Sequence, residues 1–280
     1  VALPTATADG ATLFAKNSDR PPDERQHVRW HPPRLDHERT AATHVAVPAH
    51  PIATRGCLLS VPTWCWGAEQ GVNDAGVAIG NEAIYTTLDP RSVPPALIGM
   101  DLVRLGLERA ASAAEAVEVM TSLLAQHGQG GTGHDPAGHG GTKAYWSSFL
   151  VADPAEAFVV ETSGREWAVE RVPEVRAISN RTTIPDFDAA HRHPRQHVAT
   201  LVDPRWHASN AALARRPVTV DALQQHLRSH DSCALDGWAV CMHAVDDAGV
   251  PVEDTTSSMI AELTAGGSVA WVLVGHPCRH

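Results

Sequence analysis

Apolar and polar positions change period several times along this chain. Thr12 to Lys16 alternates like a half-buried strand. It runs straight into Asn17-Ser18-Asp19-Arg20, four polar side chains at the strand's end, stopped by Pro21 and Pro22. Residues 22–56 are rich in Pro, His and Arg and read as a covering segment with one strand, around His44 to Pro48. Residues 57–63 are a further strand candidate. Trp66 to Gly80 reads as a hairpin: Asn73-Asp-Ala-Gly76 supplies the turn, and the second strand runs from Val77 to Asn81.

From Pro95 to Gln126 the period lengthens to that of a helix. Leu97, Leu102, Leu105 and Leu107 crowd one face, with Arg104 and Arg109 on the other. Ser112-Ala-Ala-Glu115 is a capping box that opens a second helix, Ala113 to Ala125, and the short link at Ala110-Ala111 makes the two a helical hairpin. His127 to Thr142 is a glycine-rich loop. Strands follow at Tyr145 to Val151 and Ala157 to Thr162, then a further pair at Trp167 to Arg171 and Val175 to Ser179. Residues 185–216 are His- and Arg-rich and partly helical, and Asp221 to His230 is a short helix. Ala239 to Val245, Ser257 to Leu263 and Ser268 to Val274 are the last strands. Strands, two helices, many strands, a helical region and strands again predict an α+β fold with long antiparallel sheets and segregated helices. One layered solution is two stacked sheets with helices outside.

Composition narrows the partners. A chain of 280 residues with 43% hydrophobic content is read as one domain, 1–280, with an ample core. The net charge of -10 argues against a nucleic-acid partner. No apolar stretch reaches the roughly 20 residues that span a bilayer, and no signal peptide is read at its start, so no membrane partner is expected. Cys57, Cys65, Cys233, Cys241 and Cys278 are odd in number and lack a metal spacing such as C-x-x-C. They are read as mostly reduced and buried, which implies a cytoplasmic setting.

Several motifs carry two readings each. Lys16 to Arg20 is either a solvated strand end or a carboxylate orienting a nucleophile or amine, with a cation nearby. Asn81 interrupts an apolar strand; it is either a satisfied core amide or an N–H donor to an oxyanion. Asn180 ends another apolar run, Ala177-Ile-Ser-Asn180, which suggests strand ends converging on one pocket. The loop from Gly128 to Gly141 lacks the Gly-Lys-Ser/Thr of a P-loop and reads as a flap. His127, His134 and His139 follow no recognised ligand pattern, so no metal is expected. Cys65, between Trp64 and Trp66, reads as a small buried residue. Cys241 and His243 point to one face of a strand without being hydrogen-bond partners by default.

Together these segments resemble the secernin and dipeptidase family of N-terminal-nucleophile cysteine hydrolases, related to choloylglycine hydrolase and penicillin V acylase. The matching pieces are Gly10 to Pro21, Trp66 to Asn73, Gly80-Asn-Glu-Ala83 and Gly128-Gln-Gly-Gly131. Further along come Ser148 to Asp153, Glu161-Thr-Ser-Gly164, Ile178-Ser-Asn180, Cys241-Met-His243 and Ser257-Ser-Met259. The resemblance implies a four-layer αββα fold and an amidohydrolase of small peptides or other amides. An N-terminal cysteine forms the acyl-enzyme and its own amino group is the base; a terminal amine, pKa near 8, is usable at neutral pH. No cofactor is implied. In the family this cysteine lies a few residues before the position of Val1, often behind a short leader that is removed. The resemblance further implies catalytic roles for Lys16, Asp19, Asn81 and Asn180, and substrate contacts from Asn17, Arg20, Trp66 and Glu82. Arg20 would clamp a substrate carboxylate. The arginine that related hydrolases carry further along has no clear match near Ser232 to His243. An inactive scaffold and a biosynthetic acyltransferase of the same fold stay open as alternatives, as does a homo-oligomer.

Overall fold

Strand β1 spans Thr12–Arg20, and from Phe14 onward its positions alternate between buried and half-buried, so the polar run forms the strand's own last residues. The structure, a computed structural model, describes residues 1–35, 38–138, 140–231, 235 and 237–280. After β1 come β2 (Gln26–His31), β3 (Arg39–Ala41), β4 (Ala46–Pro48), β5 (Cys57–Pro62), β6 (Gln70–Asn73) and β7 (Ala78–Ile84). Helices α1 (Gly99–Arg109) and α2 (Ala113–His127) follow, then β8 (Trp146–Ala152), β9 (Ala157–Ser163) and β10 (Glu166–Arg171). Helices α3 (Pro185–His191), α4 (Val198–Leu201), α5 (Asp203–Ala214) and α6 (Val220–Leu227) lead to β11 (His243–Val245), β12 (Pro251–Thr264) and β13 (Gly267–Val274).

Among the described residues two large antiparallel sheets result, and β3 pairs with β4 in a separate two-stranded ribbon. Seven strands run in the order β10-β9-β8-β7-β6-β5-β2, and a four-stranded sheet is organised around β12, which pairs with β1, β11 and β13. Three apolar layers hold the stack. Leu102, Leu105, Leu107 and Met120 of the helical hairpin pack on Leu59, Ile79, Phe149 and Val151. Between the sheets lie Phe14, Val72, Ala78, Leu150, Val159, Met259 and Leu263. On the far side Leu13 and Ile260 meet Leu213, Leu223 and Leu227 from α5 and α6. Neighbours on one strand therefore serve different layers: Phe149 and Val151 face the helices while Leu150 faces the second sheet. That is why β8 is buried at every position. Each such side chain contributes about 1.5–3 kcal/mol on burial. The four-layer αββα arrangement agrees with the expected fold.

Three expected elements differ. Residues 22–56 form three short strands instead of one; β2 sits at the sheet's edge with Trp30 exposed, so it lacks the alternation that marks a strand. Val175 to Ser179 makes no ladder with β10, which pairs with β9; Val175 instead bridges Ala2. The strand expected from Ala239 is confined to β11, because Val240 packs with Leu223 and Leu227 of α6 and the Cys241 N–H donates to the Ser229 carbonyl, 3.0 Å, instead of to a strand.

Gly99, the first residue of α1, lies against the site: an added Cβ would fall 2.4 Å from Asn81 Oδ1 and 2.2 Å from Ser147 Oγ. Gly→Ala in a helix ordinarily stabilises by up to about 1 kcal/mol. Here Gly99→Ala is expected to lose about 1–3 kcal/mol through overpacking, and chemical denaturation checks the reversed sign.

Candidate active site

A bulge aims the central carboxylate. Strands β1 and β12 stay in register from Thr12 opposite Leu263 to Ser18 opposite Ser257, then slip so that Asp19 faces Thr255. Such a bulge twists the strand and redirects its side chains. Before it, Leu13 and Ala15 face the α6 layer while Phe14 faces the other sheet. Asp19 Oδ1 accepts a hydrogen bond from the Thr255 hydroxyl at 2.6 Å, and Oδ2 lies 3.5 Å from Arg205 Nη1. Arg205 Nη2 donates to Asn180 Oδ1 and to the Leu201 carbonyl, each at 3.0 Å. Asn180 Nδ2 in turn donates to the Ala83 carbonyl at 3.1 Å, and Gln196 donates to the Asn180 carbonyl at 2.6 Å. Asp19, Arg205 and Asn180 thus form one hydrogen-bonded chain.

Lys16 completes the cluster from the inter-sheet face. Its ammonium lies 3.0 Å from Glu82 Oε1 and donates to the Asn17 carbonyl at 2.9 Å. Gly80 lets it pass, since a Cβ there would come within 2.6 Å of Lys16 Cδ. Asn81, beside Glu82 on β7, is buried; among the described residues its Nδ2 meets only the Met100 sulfur, at 3.7 Å, and its Oδ1 has no hydrogen-bond partner. Two cavities adjoin here. One of about 110 Å³ runs along β1 from Val1 to Asp19 and is closed by residues 176–179. The other, about 220 Å³, is lined by Asn81, Tyr85, Tyr145, Asn180, Trp238 and Glu253 among others. Lys16, Asp19, Glu82 and Arg205 line both.

Burial sets the protonation of the cluster. It raises the Asp19 carboxyl above the usual range, against Arg205, the Thr255 hydroxyl and Lys16. It raises Glu82 as well, against Lys16. Burial pulls Lys16 down, but Glu82, Glu69 and Asp19 outweigh it and hold the ammonium above the ordinary lysine value. His134, in the same wall, is pushed down to about 3 by burial and by Arg20 and Lys143, so it is neutral at physiological pH. A carboxyl raised on folding takes up a proton as the chain folds, so Asp19's contribution favours the folded state at low pH and declines as pH rises through that window. Arg205→Ala is accordingly expected to cost about 1.5–3 kcal/mol near neutral pH, by removing a hydrogen-bonding charge. The loss shrinks as pH falls through the carboxylate range and Asp19 takes up its proton; urea melts at neutral and acidic pH check it.

The site brings together Lys16, Asp19, Asn81, Glu82 and Asn180 from among the expected residues. Others have different surroundings. Arg20 is buried in an ion-pair network: Nε and Nη2 donate to Glu24, Nη1 to Glu69 at 2.6 Å, and Nη2 also to the Gly133 carbonyl at 2.6 Å. Arg20 lines the larger cavity, but its guanidinium is already engaged by these acceptors and is not a free fork for a substrate carboxylate. The guanidinium that reaches Asp19 and Asn180 is Arg205, on α5; its one sequence signal was the His- and Arg-rich composition of residues 185–216. Trp66 lines neither cavity, because its ring packs under Arg104, 4.2 Å from the centroid. Asn17 lines the smaller cavity, but its amide ties α6 down by donating to the Leu227 and Val240 carbonyls, each at 2.8 Å. Cys57 and Cys65 are thiols pushed up by burial. None of the four cysteines among the described residues lines either cavity. Cys233 and His139 lie outside the described residues.

The stacked sheets and flanking helices form a four-layer αββα architecture. The chain is similar to a single-residue variant of the conjugated bile acid hydrolase from Clostridium perfringens, at 13% identity over 100% of this chain and 92% of that one, with a TM-score of 0.53. It is also similar to penicillin V acylase from Agrobacterium tumefaciens, at 15% identity over 89% of this chain and 75% of that one, TM-score 0.50. At such identities the likeness is one of fold. Residues 4–203 match the profile of peptidase family C69, and the chain belongs to that family. Its general chemistry is the hydrolysis of amide or peptide bonds. No helix among the described residues is long and apolar enough to cross a membrane.

Proposed function

We propose that this protein is a dipeptidase-like or secernin-like amidohydrolase whose nucleophile is an N-terminal cysteine upstream of Val1. The supporting observation is the direction of the first residues. Ala2 bridges Leu13 on one side and Val175 on the other, both antiparallel. Its N–H donates to the Leu13 carbonyl at 2.9 Å, and the Arg176 N–H donates to the Val1 carbonyl at 3.0 Å. Continued outward in that register, a preceding segment runs along the smaller cavity, past Ala15 and Asn17 on one side and Ala177 and Ser179 on the other. It reaches the point where Asp19 and Asn180 face each other across Arg205.

A cysteine there has the partners its chemistry needs. Its α-amino group takes the thiol proton while the sulfur attacks the amide carbonyl. Asp19 holds the resulting ammonium. Asn81 Nδ2, bound only by a thioether, is a donor to the oxyanion. The ammonium then protonates the departing amine, and water, deprotonated by the same amine, hydrolyses the thioester. The larger cavity beyond, with Tyr85, Trp238 and Met242 beside Lys143 and Glu253, suits a small peptide with charged ends. Expression of the full-length gene, followed by intact mass and N-terminal sequencing, tests the reading. A mature terminus at cysteine, and loss of hydrolysis of a dipeptide panel on thiol alkylation, are expected. Active protein beginning at Val1 would overturn it.

A further inference from the structure

Away from the cavities, four side chains from three separate segments converge. His230 follows α6, Cys241 and His243 lead into and begin β11, and Cys278 lies in the final turn, Pro277–Arg279. Their ring nitrogens and sulfurs all lie within 4.8 Å of one another. His243 Nε2 is 3.4 Å from Cys241 Sγ and 3.3 Å from Cys278 Sγ. In a tetrahedral site with metal–nitrogen bonds of about 2.0–2.1 Å and metal–sulfur bonds of about 2.3 Å, the N···S edge is about 3.6 Å. The observed edges are close to that length. The other face of His243 is also provided for: Nδ1 lies 3.0 Å from His276 Nδ1 and 3.6 Å from Asp254 Oδ1. Metal on Nε2 leaves the proton on Nδ1, where a carboxylate fixes the tautomer and ring orientation of a ligating histidine.

We infer that His230, Cys241, His243 and Cys278 form a tetrahedral Zn²⁺ site. Two thiolates with two imidazoles suit zinc, and four protein ligands leave no open position, which marks a structural site. Binding releases the two thiol protons to solvent. The metal would tie the C-terminal turn to His230 and to the stretch from Gly237 to His243. That segment carries Trp238 and Met242, which line the larger cavity. The Met242 N–H donates to Thr255 Oγ1 at 2.8 Å, and Thr255 holds Asp19. The ion thus sits behind the wall of the candidate active site without touching it. The sequence shows only half of it, Cys241 and His243 on one strand face, because ligands assembled from distant segments do not follow a short Cys or His spacing.

The test is metal analysis of tag-free, full-length protein purified under reducing conditions. About one equivalent of zinc is expected, lost in both Cys241→Ser and Cys278→Ser. Cobalt exchange should give thiolate-to-metal charge-transfer absorption and tetrahedral d–d bands. If either variant fails to fold, alkylation of the native protein decides: zinc should protect Cys241 and Cys278 from iodoacetamide, mapped by mass spectrometry, and a chelator should expose them. The inference is overturned by folded protein that stays metal-free after zinc addition, by a Cys241–Cys278 disulfide, by full zinc content in folded variants, or by equal alkylation with and without zinc. None of these outcomes bears on whether a cysteine precedes Val1, so failure here and failure of the proposed nucleophile are separable.

Discussion

Asp19→Asn is expected to lower kcat/KM by about 10²- to 10⁴-fold, the usual worth of general acid–base catalysis, because the terminal amine that acts as acid and base loses the carboxylate that holds it. It should leave the fold intact. The asparagine oxygen still accepts from Thr255 Oγ1, which now bonds Asp19 at 2.6 Å. Burial no longer opposes a charge, since burial is the largest influence on this carboxyl and raises it. Activity and stability should therefore part company: turnover collapses while the urea midpoint near neutral pH is unchanged or rises. Thr255→Val tests the same assignment from the other side. It removes one of the contacts that keep the carboxyl ionised, so the acid limb of kcat/KM should move to higher pH. Retained turnover in Asp19→Asn would remove this residue from the chemistry.

Arg20→Met is expected to cost about 3–5 kcal/mol of stability, the typical penalty for removing one partner of a buried ion pair. Arg20, Glu24 and Glu69 are all nearly inaccessible, with side-chain exposures of 2%, 1% and 6%. Without the guanidinium the two carboxylates face each other with no compensating charge. Adding Glu24→Gln and Glu69→Gln should recover part of the loss. The measurement separates two roles for this residue. A substrate clamp would raise KM and leave the melting transition alone, whereas a structural pair lowers the transition and leaves KM of the folded fraction near its original value. A change in KM with no change in stability would restore the clamp.

Much of the fold could be read along the chain because its signals are local. The leucines from 97 to 107, the Ser112 cap and the Asn73–Gly76 turn act over a few residues, and the structure has helices and a hairpin where they stand. The capping hydroxyl of Ser112 accepts the Glu115 N–H, as the motif requires. The elements that escaped are those without an alternating face. Edge strand β2 is one; the stretch from Val175, which pairs with the first residues of the chain instead of with β10, is another.

The candidate site divides along the same line. Residue type and order alone singled out Lys16, Asp19, Asn81 and Asn180, because a polar residue interrupting an apolar strand is conspicuous within a window of five or six positions. What each side chain touches was decided by packing over long separations. The bulge between Ser18 and Asp19 turns one carboxylate toward Thr255, 236 positions away in sequence, and Arg205, 186 away, while its neighbour Arg20 is held by Glu24, Glu69 and Gly133. For Arg205 the sequence offers only a His- and Arg-rich stretch, and for the His230–Cys241–His243–Cys278 cluster only the pair Cys241 and His243 on one strand face. Backbone preferences and hydrophobic period act between near neighbours and are written in sequence order. The partners of a buried charge are whichever groups the sheets and helices bring alongside it, and only the assembled layers specify those.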